Sequence, residues 1–243
     1  MRGLILAAGR GSRMLAQTSD RPKAFVELHG RRLLDLQLSA LRKAGLSEIA
    51  LVRGYCGQAF LDYDLTLFDN PAWERTNMVM SMLAASEWLR ADTTIVSYAD
   101  IFYPAQAVQR LMKADGDIVI AYDPNWLSLW SRRFADPLSD AETFRIDQAG
   151  CLTEIGGKTH DISRIQGQYM GLFRLTPQGA GAIGEHVSSL PLELQAKLDV
   201  TSLLSRLIAS GTKIGAVAVP GPWGEVDQPS DLEVYTLPEI VGL

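Results

Sequence analysis

Residues 4–28 read LILAAGRGSRMLAQTSDRPKAFVEL, and the order of residue types in that stretch decides the fold class. Residues 4–7 form an apolar run with the length of a buried strand. They pass without a polar spacer into Ala7-Ala8-Gly9-Arg10-Gly11-Ser12-Arg13, where small residues let the backbone approach a ligand and turn its N–H groups outward. Ten residues after Arg13 comes Pro22-Lys23, the proline stiffening the approach to the lysine. Arg13 offers a fork of donors and Lys23 a compact positive charge, both suited to phosphate oxygens. A strand, a small-residue turn and two cations in that order predict a nucleotide-phosphate site at the carboxyl end of a strand. Two familiar alternatives fail: no Gly-Lys-Ser/Thr follows Gly11, and Met14 stands where the dinucleotide fingerprint needs its third glycine.

Working outward, strands alternate with helices through the first half. Residues 33–44 carry a helical apolar stripe (Leu34, Leu38, Leu41) stopped by Gly45, and residues 48–52 and 65–68 read as strands. Thr76 or Asn77 is placed to cap a helix running to Leu89. Residues 93–97 form a strand ending in YAD, Pro104 opens a helix, and DIVIAYD (117–123) returns as a strand. Strands joined by helices of this length imply crossover units and a mainly parallel sheet.

The second half changes character. Residues 124–141 mix aromatic and charged residues without a clean period and read as an insertion or lid. Residues 142–157 alternate around a Gln-Ala-Gly turn and predict a hairpin. A strand at 168–176, a helix at 200–209 and a last strand at 213–219 follow, and Ser230-Asp-Leu-Glu233 reads as a capping box opening a final helix. No repeat, low-complexity tract or interdomain linker interrupts the chain. The expectation is one α/β domain over 1–243, with a nucleotide-binding half (1–123) and an acceptor-binding insertion and second half (124–243).

A chain of 243 residues with 47% hydrophobic residues fills one sizeable core. Its net charge of -5 argues against non-specific nucleic-acid binding, so any anion site is local. Two cysteines (Cys56, Cys151) make no disulfide framework, and no Cys/His cluster has zinc spacing. Gly9 and Gly11 interrupt the N-terminal apolar run, and no stretch has the length of a membrane span. A cytoplasmic protein with no nucleic-acid or membrane partner is expected.

The segments LILAAGRGSRM…RPKAFVEL, VRGY (52–55), NPAWERTNMVMSM (70–82), SYAD (97–100), GQYMGL (167–172), DVTSLL (199–204) and WGEVDQPSDLEVY (223–235) resemble the nucleotidyltransferase (pyrophosphorylase) superfamily. Within it the chain looks like the choline-phosphate cytidylyltransferase-like branch, close to enzymes that attach CMP to phosphonates or to phosphoglutamine. The resemblance covers essentially the whole chain. It implies a Rossmann-like, GT-A type mixed sheet and transfer of CMP from CTP to a phosphate or phosphonate of a small acceptor, with pyrophosphate leaving.

It also implies Mg²⁺ held by Asp100 and Asp227, two acids that each follow a strand and can share one ion with water and phosphate. Arg13 and Lys23 would hold the triphosphate, and Lys158 is the candidate cation facing the acceptor phosphate. The nucleotide is expected over Leu6, Ala7, Ala8, Gly9, Gly11 and Ser12, with Gly54, Tyr55, Asn77, Ser81 and Ala99 nearby. Residues alone do not separate cytosine from uracil; CTP comes from the resemblance. Tyr122, Trp126, Arg132, Arg133, Glu142, Glu154 and Gln168 are expected around the acceptor. The aromatics there suit a quaternary ammonium, whereas the arginines with Asp140 and Glu142 suit a zwitterionic or aminated compound. A homodimer is compatible with the resemblance, but the residues leave oligomeric state and acceptor identity open. Two other readings stand: a sugar-1-phosphate nucleotidyltransferase using UTP or dTTP, and an inactive nucleotide-binding homologue. The first is disfavoured by AAG in place of AGG and by the missing Pro-Leu step after the lysine. The second is disfavoured by the presence of Lys23, Asp100 and Asp227.

Overall fold

Strand β1 (Arg2–Ala7) is buried on both faces, with Ile5 and Ala7 in one apolar cluster and Leu4 and Leu6 in the other. A strand of that kind needs helices on both sides of its sheet. The computed structural model, which describes residues 1–236, supplies them.

After the turn that follows β1 come two-residue strands β2 (Glu27–Leu28) and β3 (Arg31–Arg32), then helix α1 (Leu33–Lys43), β4 (Ile49–Arg53) and β5 (Thr66–Asp69). Helices α2 (Met78–Ala84) and α3 (Ser86–Ala91) lead to β6 (Thr94–Tyr98), β7 (Ile101–Phe102), α4 (Ala105–Lys113) and β8 (Ile118–Asp123). The second half adds α5 (Trp126–Arg133), the hairpin β9 (Glu142–Ile146) and β10 (Leu152–Lys158), and β11 (Gln168–Leu175). Helices α6 (Pro177–Ser188), α7 (Leu192–Lys197) and α8 (Val200–Ala209), strands β12 (Gly215–Ala218) and β13 (Gly224–Glu225), and α9 (Asp231–Val234) complete it.

Seven strands form the main sheet in the order β12-β8-β11-β6-β1-β4-β5. All neighbours run parallel except β11, which is antiparallel to both β6 and β8. The fold is therefore the Rossmann-like, mostly parallel mixed sheet the sequence predicts. Leu34, Leu41, Val108 and Leu111 cover one face from α1 and α4. Val79, Met82, Ile183, Leu203 and Leu207 cover the other from α2, α6 and α8. Each fully buried aliphatic side chain contributes roughly 1.5–3 kcal/mol. Because β1 and β6 are parallel neighbours, with Leu6 opposite Tyr98, the Gly-rich turn and Asp100 emerge at the same edge. That edge is where open α/β sheets bind ligands.

Three local expectations need correction. The helix over 77–89 breaks at Ala85 (φ -101°, ψ 29°), giving α2 and α3. Residues 124–141 are no irregular lid: α5 packs Trp126, Leu129 and Trp130 into the core, and a 3-10 turn at Pro137–Ser139 follows. Ser230 makes no side-chain cap to α9; the fully buried Asp231 takes the neighbouring N–H groups instead. The hairpin forms as predicted, with Gly150 at φ +78° in its turn. Among the described residues no helix is long and apolar enough to cross a membrane.

Candidate active site

The turn after β1 floors a cavity of about 270 Å³. Leu6, Ala7, Ala8, Gly9, Gly11, Ser12, Arg13 and Lys23 line it from the turn, Asn77 and Ser81 from α2, and Ala99, Asp100 and Asp227 from the strand ends. Gly54 and Tyr55 stand behind the turn rather than in the cavity. The Tyr55 amide donates to Ala8 O at 3.0 Å, and its hydroxyl donates to Ser19 O at 2.6 Å. A Cβ at Gly54 would lie 2.7 Å from both Ala8 O and the Trp73 side chain, so only glycine allows this bracing strand end to come so close. Asn77 caps α2, its side chain accepting from the Met78 amide at 2.8 Å. Trp73, Thr76 and Tyr98 also line the cavity, though the sequence placed none of them in the site.

Lys23 stands at the centre of the charge. Its Nζ donates to Asp100 Oδ2 at 2.7 Å and to Asp227 Oδ1 at 2.6 Å. Burial favours the neutral amine, but the two aspartates outweigh it and hold the lysine above its usual range. Arg13 reaches the other oxygen of Asp227.

Glu225 joins the two aspartates: each of the three offers an oxygen, all within 4.8 Å of one another. Burial raises the Glu225 carboxyl to about 7 against the pull of Arg133. Three convergent carboxylates are a hard oxygen donor set for a divalent cation. Asp100 Oδ1 is buried with no hydrogen-bond partner, as expected of a ligand atom facing such an ion. The residues therefore fit Mg²⁺. Sequence reading named Asp100 and Asp227 but missed Glu225. The signal lay in Gly224-Glu225-Val226-Asp227, whose i, i+2 spacing puts both acids on one side of an extended segment.

A second cavity of about 290 Å³ opens on the far side of the carboxylates and shares Arg13, Met78, Tyr98 and Asp227 with the first. Glu142, Lys158 and Gln168 line it as expected, joined by Asp140 and by Tyr169 and Asp199, which the sequence reading left without a role. The hydroxyl of Tyr169 and Oε1 of Gln168 are buried and unpartnered. Burial raises the Glu142 carboxyl, Lys158 draws it down and Asp199 pushes it up again.

The other acceptor candidates lie elsewhere. Trp126 is core, its indole N–H donating to Ile165 O at 3.2 Å. Tyr122 stacks on Phe144 at 5.0 Å, and Glu154 pairs with Arg164 away from the cavity. Arg132 is exposed and donates to Val234 O. Arg133 does line the second cavity, but its guanidinium is occupied by Asp231 and Glu225. Of the aromatic residues in this stretch, Trp130 lines the second cavity while Tyr122 and Trp126 do not, so the two build no aromatic cage there.

Comparison with known proteins gives the family. The family model for the MobA-like NTP transferase domain matches residues 3–151. A CTP:phosphoglutamine cytidylyltransferase of Campylobacter jejuni is 36% identical over 96% of this chain and 98% of its own. A 2-aminoethylphosphonate cytidylyltransferase of Lancefieldella rimae is 25% identical over 68% of this chain and 64% of its own. Among solved structures, the CTP:phosphocholine cytidylyltransferase of Streptococcus pneumoniae superposes with a TM-score of 0.71 at 18% identity, covering 96% of each chain. The chain belongs to the MobA-like NTP transferase family and is a nucleotidyltransferase.

Proposed function

We propose that the protein is a Mg²⁺-dependent cytidylyltransferase that moves CMP from CTP onto a phosphate or phosphonate oxygen of a small amino-bearing acceptor. The observation that carries this reading is the Asp100–Glu225–Asp227 cluster, set where the glycine-turn cavity meets an acid-lined second cavity. An acceptor oxygen forms a bond to the α-phosphorus, the bond to the β-phosphate bridging oxygen breaks, and pyrophosphate departs with that electron pair. The turn amides, Arg13 and Lys23 hold the triphosphate and balance the growing charge on pyrophosphate. Asp100, Asp227 and Glu225 would hold Mg²⁺, which would supply further neutralisation of phosphate charge.

In the second cavity Lys158 faces the acceptor phosphate. Asp140, Glu142 and Asp199 take an ammonium group, and the unpartnered Gln168 and Tyr169 atoms receive a further polar group. Three acids around one lysine favour an aminated acceptor such as an amino-acid phosphate or aminoalkylphosphonate. The similarity to phosphoglutamine and aminoethylphosphonate enzymes supports the same choice. The enzyme is expected to work in the cytoplasm.

The test is pyrophosphate release with each of the four NTPs and Mg²⁺ across phosphoglutamine, aminoethylphosphonate, hydroxyethylphosphonate, phosphocholine and glucose-1-phosphate. CTP with an aminated acceptor is expected to dominate. Preference for UTP or dTTP with the sugar overturns the reading in favour of a sugar-1-phosphate enzyme. Absence of release with every pair overturns it in favour of a non-catalytic homologue.

A further inference from the structure

We propose that Arg133 is a positioning residue for the divalent-cation site: from α5 it holds the Glu225–Asp227 segment in the geometry that lets its two acids converge on Asp100. This rests on the cytidylyltransferase reading above and adds a residue which that reading leaves without a role, its guanidinium being taken up by Asp231 and Glu225.

The guanidinium is buried, its side chain only 2% exposed, and its neighbour Asp231 is 0% exposed. Nε and Nη2 donate to the two oxygens of Asp231 at 3.0 and 3.1 Å, and Nη1 donates to Glu225 Oε2 at 3.1 Å. Asp231 passes the constraint on: its Oδ2 accepts the backbone N–H of Asp227 at 2.8 Å and of Gln228 at 3.0 Å. One planar fork thus fixes the side chain of one cluster acid directly and the backbone of another through a single carboxylate.

A buried Arg–Asp pair is a weak source of stability, because the desolvation of both ions offsets much of their attraction. What the fork does supply is direction, since it fixes two acceptors in one plane. Here that direction is imposed on groups that must present their oxygens within a few ångströms of Asp100. Partners behind metal-ligating carboxylates typically change metal affinity by about 10–100-fold when removed.

A structural role alone predicts something different. If Arg133 only anchors α9 to α5, any comparable loosening of the 223–227 segment should act alike. Trp223 provides that control. Its indole N–H donates to Asp123 Oδ2 at 2.8 Å and its ring packs beside Trp130, but it touches no acid of the cluster.

The experiment measures Mn²⁺ affinity by electron paramagnetic resonance, in the presence of a non-hydrolysable CTP analogue. The proteins are the wild type, Arg133→Met, Arg133→Lys, Asp231→Asn and Trp223→Phe, each checked for folding by circular dichroism and melting. Arg133→Met and Asp231→Asn are expected to raise the Mn²⁺ Kd about 10–100-fold. The KM for Mg²⁺ should rise in step, while kcat at saturating Mg²⁺ stays within a few-fold. Arg133→Lys retains the buried charge and so melts closer to wild type, yet it lacks the fork and remains weakened in Mn²⁺ binding. Trp223→Phe lowers the melting temperature without changing the Mn²⁺ Kd. Folded Arg133 and Asp231 variants with wild-type Mn²⁺ affinity overturn the proposal, as does equal weakening in Trp223→Phe. A wild-type protein that binds no Mn²⁺ overturns both this proposal and the metal-dependent reading beneath it, whereas failure in the variants alone leaves that reading standing.

Discussion

Gly11 sits at φ +66°, and a Cβ there would fall 2.7 Å from Cδ and 2.9 Å from Cβ and Cγ of Lys23. The glycine is what allows the lysine stem to pass the turn and reach both aspartates. Gly11→Ala combines a left-handed backbone penalty of about 1–2 kcal/mol with displacement of that stem. We expect a lower melting temperature and a nucleotide KM raised about tenfold, corresponding to about 1.4 kcal/mol of lost binding. Unaltered nucleotide kinetics in the alanine variant would contradict the packing argument. In the neighbouring cavity, Glu142 titrates above the usual glutamate range because it is buried. A raised pKa means the carboxyl takes up its proton at a higher pH than an exposed glutamate does. Protonated, it no longer attracts an ammonium. The KM for an aminated acceptor should therefore rise as pH falls from neutral into the mildly acidic range. Glu142→Gln should start with a high acceptor KM and lose this pH dependence. A wild-type acceptor KM that is flat across that range would remove Glu142 from acceptor binding.

At the level of elements, α5 shows most clearly what its sequence concealed. Trp126, Leu129 and Trp130 face the core while Arg133, one turn on, is buried as well, so a charged residue interrupts the apolar period a reader looks for. The segment thus resembled a polar lid with aromatics to offer a ligand. Trp126→Ala should cost about 3–5 kcal/mol of stability by opening a core cavity, and leave acceptor KM unaltered in the folded protein. Urea unfolding with parallel initial rates checks this, and a variant that is stable but binds acceptor poorly would restore the cage. Elements with an uninterrupted period were legible: β1, α1 with its terminal Gly45, and the hairpin around Gly150 all form where the pattern placed them. The turn, Lys23, Asp100 and Asp227 were legible too, because phosphate and cation chemistry restrict residue type at fixed distances from a strand end. Asp199, Tyr98 and Trp73 were not. Each lies in a segment that carries the family resemblance, but its place in a cavity comes only from tertiary packing.

Considered whole, the molecule assembles its charge cluster from two parts of very different robustness. Asp100 follows β6, an interior strand of the seven-stranded sheet. Glu225 and Asp227 ride on a segment whose strand pairing to the main body is the two residues of β13 with β7, supplemented by the Arg133 fork and the buried Trp223, Val226 and Tyr235. Glu225 stands opposite Ile101, and the Val226 amide donates to Asp100 O at 2.8 Å. The segment also lies beyond residue 151, where the family match ends. Short peripheral pairings open at lower free energy than a buried sheet. Rising urea should accordingly silence the enzyme at concentrations where its far-ultraviolet dichroism is still native, and nucleotide should shift the first transition upward. Superimposed activity and dichroism curves would refute the separation. Inactivation of this enzyme would then begin as fraying, a loose hem coming away from cloth that is otherwise whole.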